Sequence, residues 1–323
     1  MAFKSLSNYT TAERFEGKQE ARMNLAYRKA NMVPGFNLLT FCKPTDIDPA
    51  GVDGAELVKI NYTDGLSGAS TRKIGVEGKP INVVRKSETV EMEAINSTFE
   101  IDRRQIKSAN EYAAVLNDNM NDSTLSVCQG LMQNLFKGKK SDTLAWNGLD
   151  YYFEDGNALS GMRVDTVLTL SGGIIDTATA LKFGNHLRKA INGMGVNKPN
   201  VLFTTSLGLE AIQAYNQITN VGIKYITVGD VEYTDFMGIK VSVEPDEYFD
   251  ETLLAQGVPF YFIRSAKDKT GFVIVTKDGE IFDPIVPDLN KGESRVHVGS
   301  NEMVCVPVPC TVECAARCLV NFQ

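Results

Sequence analysis

The chain has 323 residues, 43% of them hydrophobic and 23% charged, with a net charge of −7, which is length enough for one large domain or two ordinary ones around a sizeable core. Ordinary Gly and Pro contents exclude a collagenous or disordered chain, and the acidity excludes a protein whose main task is gripping nucleic acid, since that needs Lys and Arg against phosphate. No apolar run approaches the roughly 18–20 residues that cross a bilayer, the polar stretch from Met1 to Gln19 has no signal-peptide core, and six cysteines in so long a chain read as reduced thiols, so a soluble chain made in the cytoplasm is expected.

Residues 10–30 predict a charged, partly amphipathic helix carrying Phe15, Met23, Leu25, Ala26 and Tyr27, ended by Pro34 and Gly35. Before residue 50 the chain is locally basic: Lys4, Arg14, Lys18, Arg22, Arg28, Lys29 and Lys43 outnumber Glu13, Glu16, Glu20, Asp46 and Asp48. A solvated terminal helix and a partner-binding arm both fit this pattern.

Val58, Ile60 and Tyr62 alternate with more polar neighbours, and Val90, Met92 and Ala94 alternate with Glu91 and Glu93. Both runs predict half-exposed strands. Between them lies a long polar, Gly-bearing stretch with Asp64, Gly65, Gly68, Arg72, Lys73, Gly75, Glu77, Gly78, Lys79 and Pro80. A compact monomer seldom carries so long a connection without a function for it. A projecting antiparallel hairpin that lies on a neighbouring subunit answers the pattern; a surface loop without a role is the plainer alternative.

Residues 99–104 then lead into the longest helix signal. Ser108 and Glu111 form a capping-box spacing. Tyr112, Leu116, Met120, Val127, Leu131 and Leu135 fall on one stripe. The pattern reaches Phe136 and breaks at Gly138, with Lys137, Lys139 and Lys140 at the negative end of the helix dipole. Roughly thirty residues at about 1.5 Å each make a rod of about 45 Å.

Beyond Trp146 the texture is mixed α/β. Val164, Val167, Leu168 and Leu170 lead to Gly172 and Gly173. A helix is predicted from Asp176 or Thr177, with Leu181, Leu187 and Ile191 on one side and a stop at Gly193 and Gly195. Residues 200–204 read as a buried strand, and Thr205 or Ser206 caps a helix through Ile212 and Tyr215. Further strands are predicted at 223–228, 239–243, 260–264 and 272–275. The second half is expected to be one sheet with helices packed on it.

Chemistry is sparse. The two histidines are His186, beside Leu187 in a helix, and His297, between Val296 and Val298 in a strand; a packed or solvated role suits both. No Gly-x-Ser-x-Gly elbow, Walker loop or dinucleotide fingerprint occurs. Cys305, Cys310, Cys314 and Cys318 invite a zinc or iron–sulfur reading. Yet Cys310, Val312, Cys314, Ala316, Cys318, Val320 and Phe322 alternate with Thr311, Glu313, Arg317 and Asn321 as on a strand. There, residues four apart stand roughly 13 Å apart, too far to share an ion or a disulfide. The thiols are expected to act as small apolar filler, with a metal-binding or redox protein as the alternative should the segment be helical. No catalytic residue, cofactor or metal ligand is assigned.

The order of these parts (an arm, a long two-stranded loop, one long spine helix, then an α/β domain) resembles Hong Kong 97-type bacteriophage capsid proteins. Val76-Glu77-Gly78-Lys79-Pro80 resembles the tip of their loop, and Phe99-Glu100-Ile101-Asp102-Arg103 the entry to their spine helix. Trp146-Asn147-Gly148-Leu149 is similar to the motif that follows that helix, and Phe236-Met237-Gly238-Ile239-Lys240-Val241 to a strand-turn-strand element of their second domain.

The resemblance implies an α+β capsid fold and a non-enzymatic major head protein. It would assemble with itself into hexamers and pentamers of an icosahedral shell around double-stranded DNA, as part of a virion built in the host cytoplasm. Residues 1–55 would be the N-terminal arm, 56–100 the extended loop, and 101–169 the peripheral domain with the spine helix at about 108–137. Residues 170–300 would be mainly the axial domain, and 301–323 a C-terminal strand returning to the body. Arg72, Lys73, Glu77, Lys79, Arg85, Lys86 and Glu88 are the candidate inter-subunit contacts. A separate scaffolding protein, a portal and minor or decoration proteins are the implied partners, with no membrane and no sequence-specific DNA contact. Encapsulins share this fold, so a cargo-loaded nanocompartment is the alternative.

Overall fold

The computed structural model describes residues 33, 35–39, 41–42, 47–48, 57–63, 85–102, 109–138, 146–228, 231–266, 270–277, 281–287 and 296–322. The helix expected at 10–30, the Ser108 cap and Lys139 and Lys140 lie outside these residues, as does the side chain of Glu111.

Two short strands, β1 (Phe41–Cys42) and β2 (Ile47–Asp48), precede the expected hairpin. Its strands are β3 (Leu57–Thr63) and β4 (Arg85–Glu91), antiparallel from Leu57 opposite Glu91 to Thr63 opposite Arg85. With β2 on the outer side of β3 they form a three-stranded sheet. The chain then runs through Met92 into β5 (Glu93–Asp102). The expected alternation of Val90, Met92 and Ala94 on one face does not hold here: Met92 is buried and Ala94 exposed, and from β5 onward Ile95, Ser97, Phe99 and Ile101 turn inward. At Met92 the chain leaves the pairing with β3 and takes up a new partner, so the strand period restarts.

That partner is β14 (Val296–Pro309), paired antiparallel from Asp102 opposite Val296 to Glu93 opposite Cys305. Across the inner face of this ribbon lies the spine helix α1 (Ala109–Lys137), 29 residues long. Tyr112, Leu116, Met120, Val127, Leu131 and Leu135 are all buried, and Cys128, Met132 and Phe136 widen the stripe. Ser123 Oγ donates to the Ser97 carbonyl at 2.9 Å, and Asn301 Nδ2 donates to Thr124 Oγ1 at 2.8 Å, which fixes the helix on the ribbon. Strand β12 (Phe272–Thr276) continues this five-stranded sheet beside β14, with β1 parallel beyond it and β13 (Asp283–Ile285) also on β14.

A seven-stranded sheet completes the molecule, in the order β6 (Leu168–Thr169), β15 (Ala315–Asn321), β11 (Val258–Ile263), β7 (Val201–Thr204), β10 (Ile239–Val243), β9 (Val231–Phe236) and β8 (Tyr225–Val228). Between α1 and this sheet comes the one-turn helix α2 (Leu149–Tyr152). Helices α3 (Thr177–Gly193) and α4 (Ser206–Ile218) pack on the sheet, and α5 (Glu251–Gln256) precedes β11. Asp176 and Thr179 form a reciprocal capping box that starts α3, and Thr205 caps α4. The buried face of α3 is Ala180, Phe183, Gly184, His186, Leu187 and Ala190. Leu181, expected on that face, is 51% exposed, one residue and so about 100° out of phase with it.

Two further expectations are corrected. The second half is not one sheet, because β12 pairs with β14 and β1 in the sheet that carries α1. All five of its residues are buried, so its sequence carries no mark of which sheet it joins. Residues 310–322 are not one strand either. Residues 310–314 form a turn in which the Cys310 amide donates to the Gly271 carbonyl and the Cys314 amide to the Thr311 carbonyl. The C-terminal chain thus leaves one sheet at Pro309 and enters the other at Ala315.

Candidate assembly elements and the buried polar centre

Of the candidate contact residues, Arg85, Lys86 and Glu88 lie on β4, opposite Thr63, Tyr62 and Ile60. Arg72, Lys73, Glu77 and Lys79 lie outside the described residues. The hairpin makes its strand pairs within its own three-stranded sheet and joins the body through Met92, which is buried in the core.

At the far end of α1, the Trp146 motif closes the helix. The Gly148 amide donates to the Gly138 carbonyl at 2.6 Å. A Cβ on Gly148 would stand 2.6 Å from the Asn134 carbonyl oxygen and 2.7 Å from both the Gly138 nitrogen and the Phe136 carbonyl oxygen. These backbone contacts leave room only for glycine, and they aim α2 at the seven-stranded sheet.

Asp150, in the first turn of α2, is buried there. Arg317 Nη1, from β15, donates to Asp150 Oδ1 at 2.7 Å, and Tyr261 Oη, from β11, donates to the same oxygen at 2.6 Å. The guanidinium lies 5.2 Å from the centre of the Phe153 ring. Burial pushes the Asp150 carboxyl up to about 6, against the opposing pull of the Arg317 charge and of the two hydrogen bonds. Burial, and then the Asp150 charge, pushes the Tyr261 hydroxyl well above its usual range. Asp150 Oδ2 and Arg317 Nε have no partner among the described residues. The cluster is almost wholly buried, so what it can do is brace: it ties α2, the helical turn after the spine helix, to two neighbouring strands of the seven-stranded sheet. The sequence pattern puts Arg317 on an outward polar face; the structure buries it, 6% exposed. An acid and a base 167 positions apart leave no local signal of pairing.

The cysteines whose side chains are described lie on four elements: Cys305 on β14, Cys310 and Cys314 in the turn, Cys318 on β15 and Cys128 on α1. Burial pushes the Cys128 and Cys314 thiols up to about 12, and those of Cys305 and Cys318 further. Among the described residues no group of three or more His, Cys, Asp or Glu side chains is arranged to hold a metal ion. His186 is buried with Nε2 3.1 Å from the Leu319 carbonyl oxygen, and burial lowers its pKa. His297 is buried opposite Ile101. A cleft of about 340 Å³ beside β15 contains Arg163, but its guanidinium is taken up by Asp155 at 2.9 Å and Asp165 at 2.8 Å. No helix among the described residues is long and apolar enough to cross a membrane.

No family model and no curated protein sequence matches this chain. Solved structures do. A chain of the holo-SrpI encapsulin complex from Synechococcus elongatus PCC 7942 superposes with a TM-score of 0.53 at 11% identity, over 88% of this chain and 85% of that one. The capsid of the native GTA particle gives 0.53 at 9% identity, over 91% and 90%. A chain of Mycobacterium phage Bobi gives 0.52 at 9% identity, over 91% of both. At such identities what is shared is the fold.

Proposed function

From its Hong Kong 97-type capsid fold, we propose that this chain is a shell subunit: a major head protein that assembles with itself into the hexamers and pentamers of an icosahedral shell enclosing double-stranded DNA. The observation that carries this reading is the β3–β4 hairpin, paired within its own small sheet. A two- or three-stranded ribbon without a large apolar face is marginal alone in water. A neighbouring subunit supplies the surface it needs. The mixed charges at Arg72, Lys73, Glu77, Lys79, Arg85, Lys86 and Glu88 then pair across that contact, each weakly, and repetition over a closed shell makes the sum strong.

On this reading residues 1–55 are the arm, 56–100 the extended loop, 101–169 the peripheral domain, 170–300 mainly the axial domain, and 301–323 the returning segment. A scaffolding protein and a portal set the geometry of assembly in the host cytoplasm, with decoration proteins outside. The acidic chain, at −7, suits a wall that encloses a polyanion without sticking to it.

A second reading, an encapsulin-type nanocompartment, is favoured by the equal likeness to the SrpI encapsulin chain and the GTA capsid. One experiment tests both: expression of the full chain, size-exclusion chromatography and electron microscopy, followed by nuclease protection and mass spectrometry of the contents. Closed particles support a shell subunit, protected DNA the head protein, and co-purified protein cargo the nanocompartment. Monomers under every condition overturn both.

A further inference from the structure

Val33 and residues 35–39 are seated in the body over a carboxyl group. Val33, Phe36, Leu38 and Leu39 are buried in the larger core, with Phe36 stacked on Phe282 at 6.5 Å between ring centres. A short 3-10 turn, Phe36–Leu38, is closed by the Leu39 amide on the Phe36 carbonyl at 3.2 Å. It starts at Gly35, whose φ of 74° suits glycine. That glycine lies against Glu244 and Phe203 so closely that a Cβ would overlap the Glu244 carboxyl oxygen and the Phe203 ring.

Glu244 follows β10 and is 1% exposed. Its Oε1 accepts from Ser242 Oγ at 2.8 Å, and its Oε2 has no partner among the described residues. Burial pushes the carboxyl well above the usual carboxylate range, with the Ser242 hydroxyl opposing. Among the described residues, the groups around it offer no compensating charge. Tyr248, on the next turn, is itself raised by burial and by the Glu244 and Glu247 carboxylates. Asp246 and Glu247 on that turn are acidic and exposed. Lys137 at the end of α1 directs Nζ to the Glu247 carbonyl oxygen, at 2.6 Å. The described side chains of residues 33–39, like Phe203 and Thr204 of β7, are uncharged.

We infer that Glu244 is a proton latch for the N-terminal segment: residues 33–39 stay seated while the carboxyl is protonated, and its ionisation, the proton passing to bulk water, admits solvent to Oε2 and unseats them. The unseated carboxyl returns to an ordinary glutamate value, so seating is strongest below that value and is lost as pH rises towards the seated one. Between the two, the equilibrium for unseating grows by up to about tenfold per pH unit, the slope for one proton. Tethering of everything before Val33 thereby becomes a function of pH. The latch does not rest on the shell reading.

The test is hydrogen exchange with mass spectrometry on the full chain at pH 5, 6, 7 and 8, corrected for intrinsic exchange rates. Peptides covering 33–39 lose protection as pH rises, while peptides from α1 hold theirs. E244Q, which cannot ionise, makes the protection of 33–39 independent of pH. Should E244Q fold poorly, E244M carries the same comparison. A flat wild-type profile, or an equal slope in wild type and variant, overturns the latch.

Discussion

Arg317 and Asp150 hold each other at 2.7 Å with 7% and 6% of their side chains exposed, one on the last strand of the chain and the other in the helical turn that follows the spine. Removing one partner strands the other. Asp150→Ala leaves a buried guanidinium without its counterion and frees the Tyr261 hydroxyl, and it is expected to lower the unfolding free energy by about 3–5 kcal/mol. Replacing both, as Asp150→Leu with Arg317→Met, is expected to cost much less than the sum of the single changes, because no charge is left stranded. Chemical denaturation of wild type, Asp150→Leu, Arg317→Met and the double variant measures the coupling; additive effects would show that the pair is not a brace.

The same carboxyl gives the fold a pH dependence. Its seated value of about 6 stands above the ordinary 3.8, so the folded state holds the proton more tightly than the unfolded one. Stability is therefore greatest below about pH 4 as far as this group is concerned. It declines as pH rises towards about 6 and is flat above. Asp150→Asn removes this group's share of the slope. Denaturation midpoints at pH 4, 5, 6 and 7 for the two proteins check it, and parallel profiles would refute it.

Why some of this was legible and some not follows from the range of the forces involved. The α1 stripe, the Asp176 cap, the hairpin strands and the Gly238 turn are written in residues a few positions apart, where helix and strand periods act directly. Arg317 is different: with Thr311, Glu313 and Asn321 it looks like a polar outer face, and only a partner in α2 takes it inside. Cys310 to Cys314 alternates with polar residues by coincidence, so a turn reads as a strand. Phe272–Thr276 is apolar on both faces and would suit either sheet. Gly148 is visible as part of a motif, but the backbone atoms that exclude a side chain there come from Asn134, Phe136 and Gly138.

Gly148→Ala puts a methyl group among those three backbone atoms, none of which can rotate away. Overpacking of this kind is expected to cost about 2–3 kcal/mol. Gly161→Ala is the control, since a Cβ there meets nothing within 4 Å, and it is expected to change stability by less than about 1 kcal/mol. Thermal or urea denaturation of both variants separates the effect of crowding from that of losing a glycine.

Met237 and Gly238 join β9 to β10 with φ of 56° and 84°, the mirror-image turn that suits the twist of a hairpin. The Asp235 side chain accepts from the Gly238 amide at 2.6 Å. Methionine is an uncommon choice at a positive φ, and the residue is 44% exposed, so little packing is lost by changing it. Met237→Asn is expected to stabilise by about 0.5–1 kcal/mol, and Met237→Val to destabilise by about 1 kcal/mol. Equal midpoints for both variants would contradict the turn assignment.

The buried thiols predict an order of reactivity. A thiol pushed to about 12, as Cys128 and Cys314 are, is ionised at pH 8 to roughly one part in ten thousand, and only the thiolate reacts. Cys310, half-buried in the turn, is expected to label with a maleimide before Cys128, Cys305, Cys314 and Cys318, which become reactive on unfolding. Peptide mapping after timed labelling gives the order. Elemental analysis of the same sample distinguishes packed thiols from a metal site, which would protect them and bring about one zinc or iron per chain.

The hairpin charges yield the prediction that bears most directly on assembly. Arg72, Lys73, Lys79, Arg85 and Lys86 against Glu77 and Glu88 make residues 72–88 cationic within a chain of net charge −7, which on the proposed shell reading would draw them to an acidic surface of another copy. Single exposed pairs are worth about 0–1 kcal/mol, and contacts of this kind weaken as salt shortens the screening length from about 10 Å at 0.1 M to about 3 Å at 1 M. Assembly followed by light scattering is therefore expected to need a higher protein concentration at 1 M than at 0.1 M salt. Arg85→Glu with Lys86→Glu is expected to raise that threshold at least tenfold at 0.1 M, while Arg85→Lys leaves it within about twofold, because charge and not guanidinium geometry is the attraction. Thresholds that ignore both salt and charge reversal would move the contact off the hairpin.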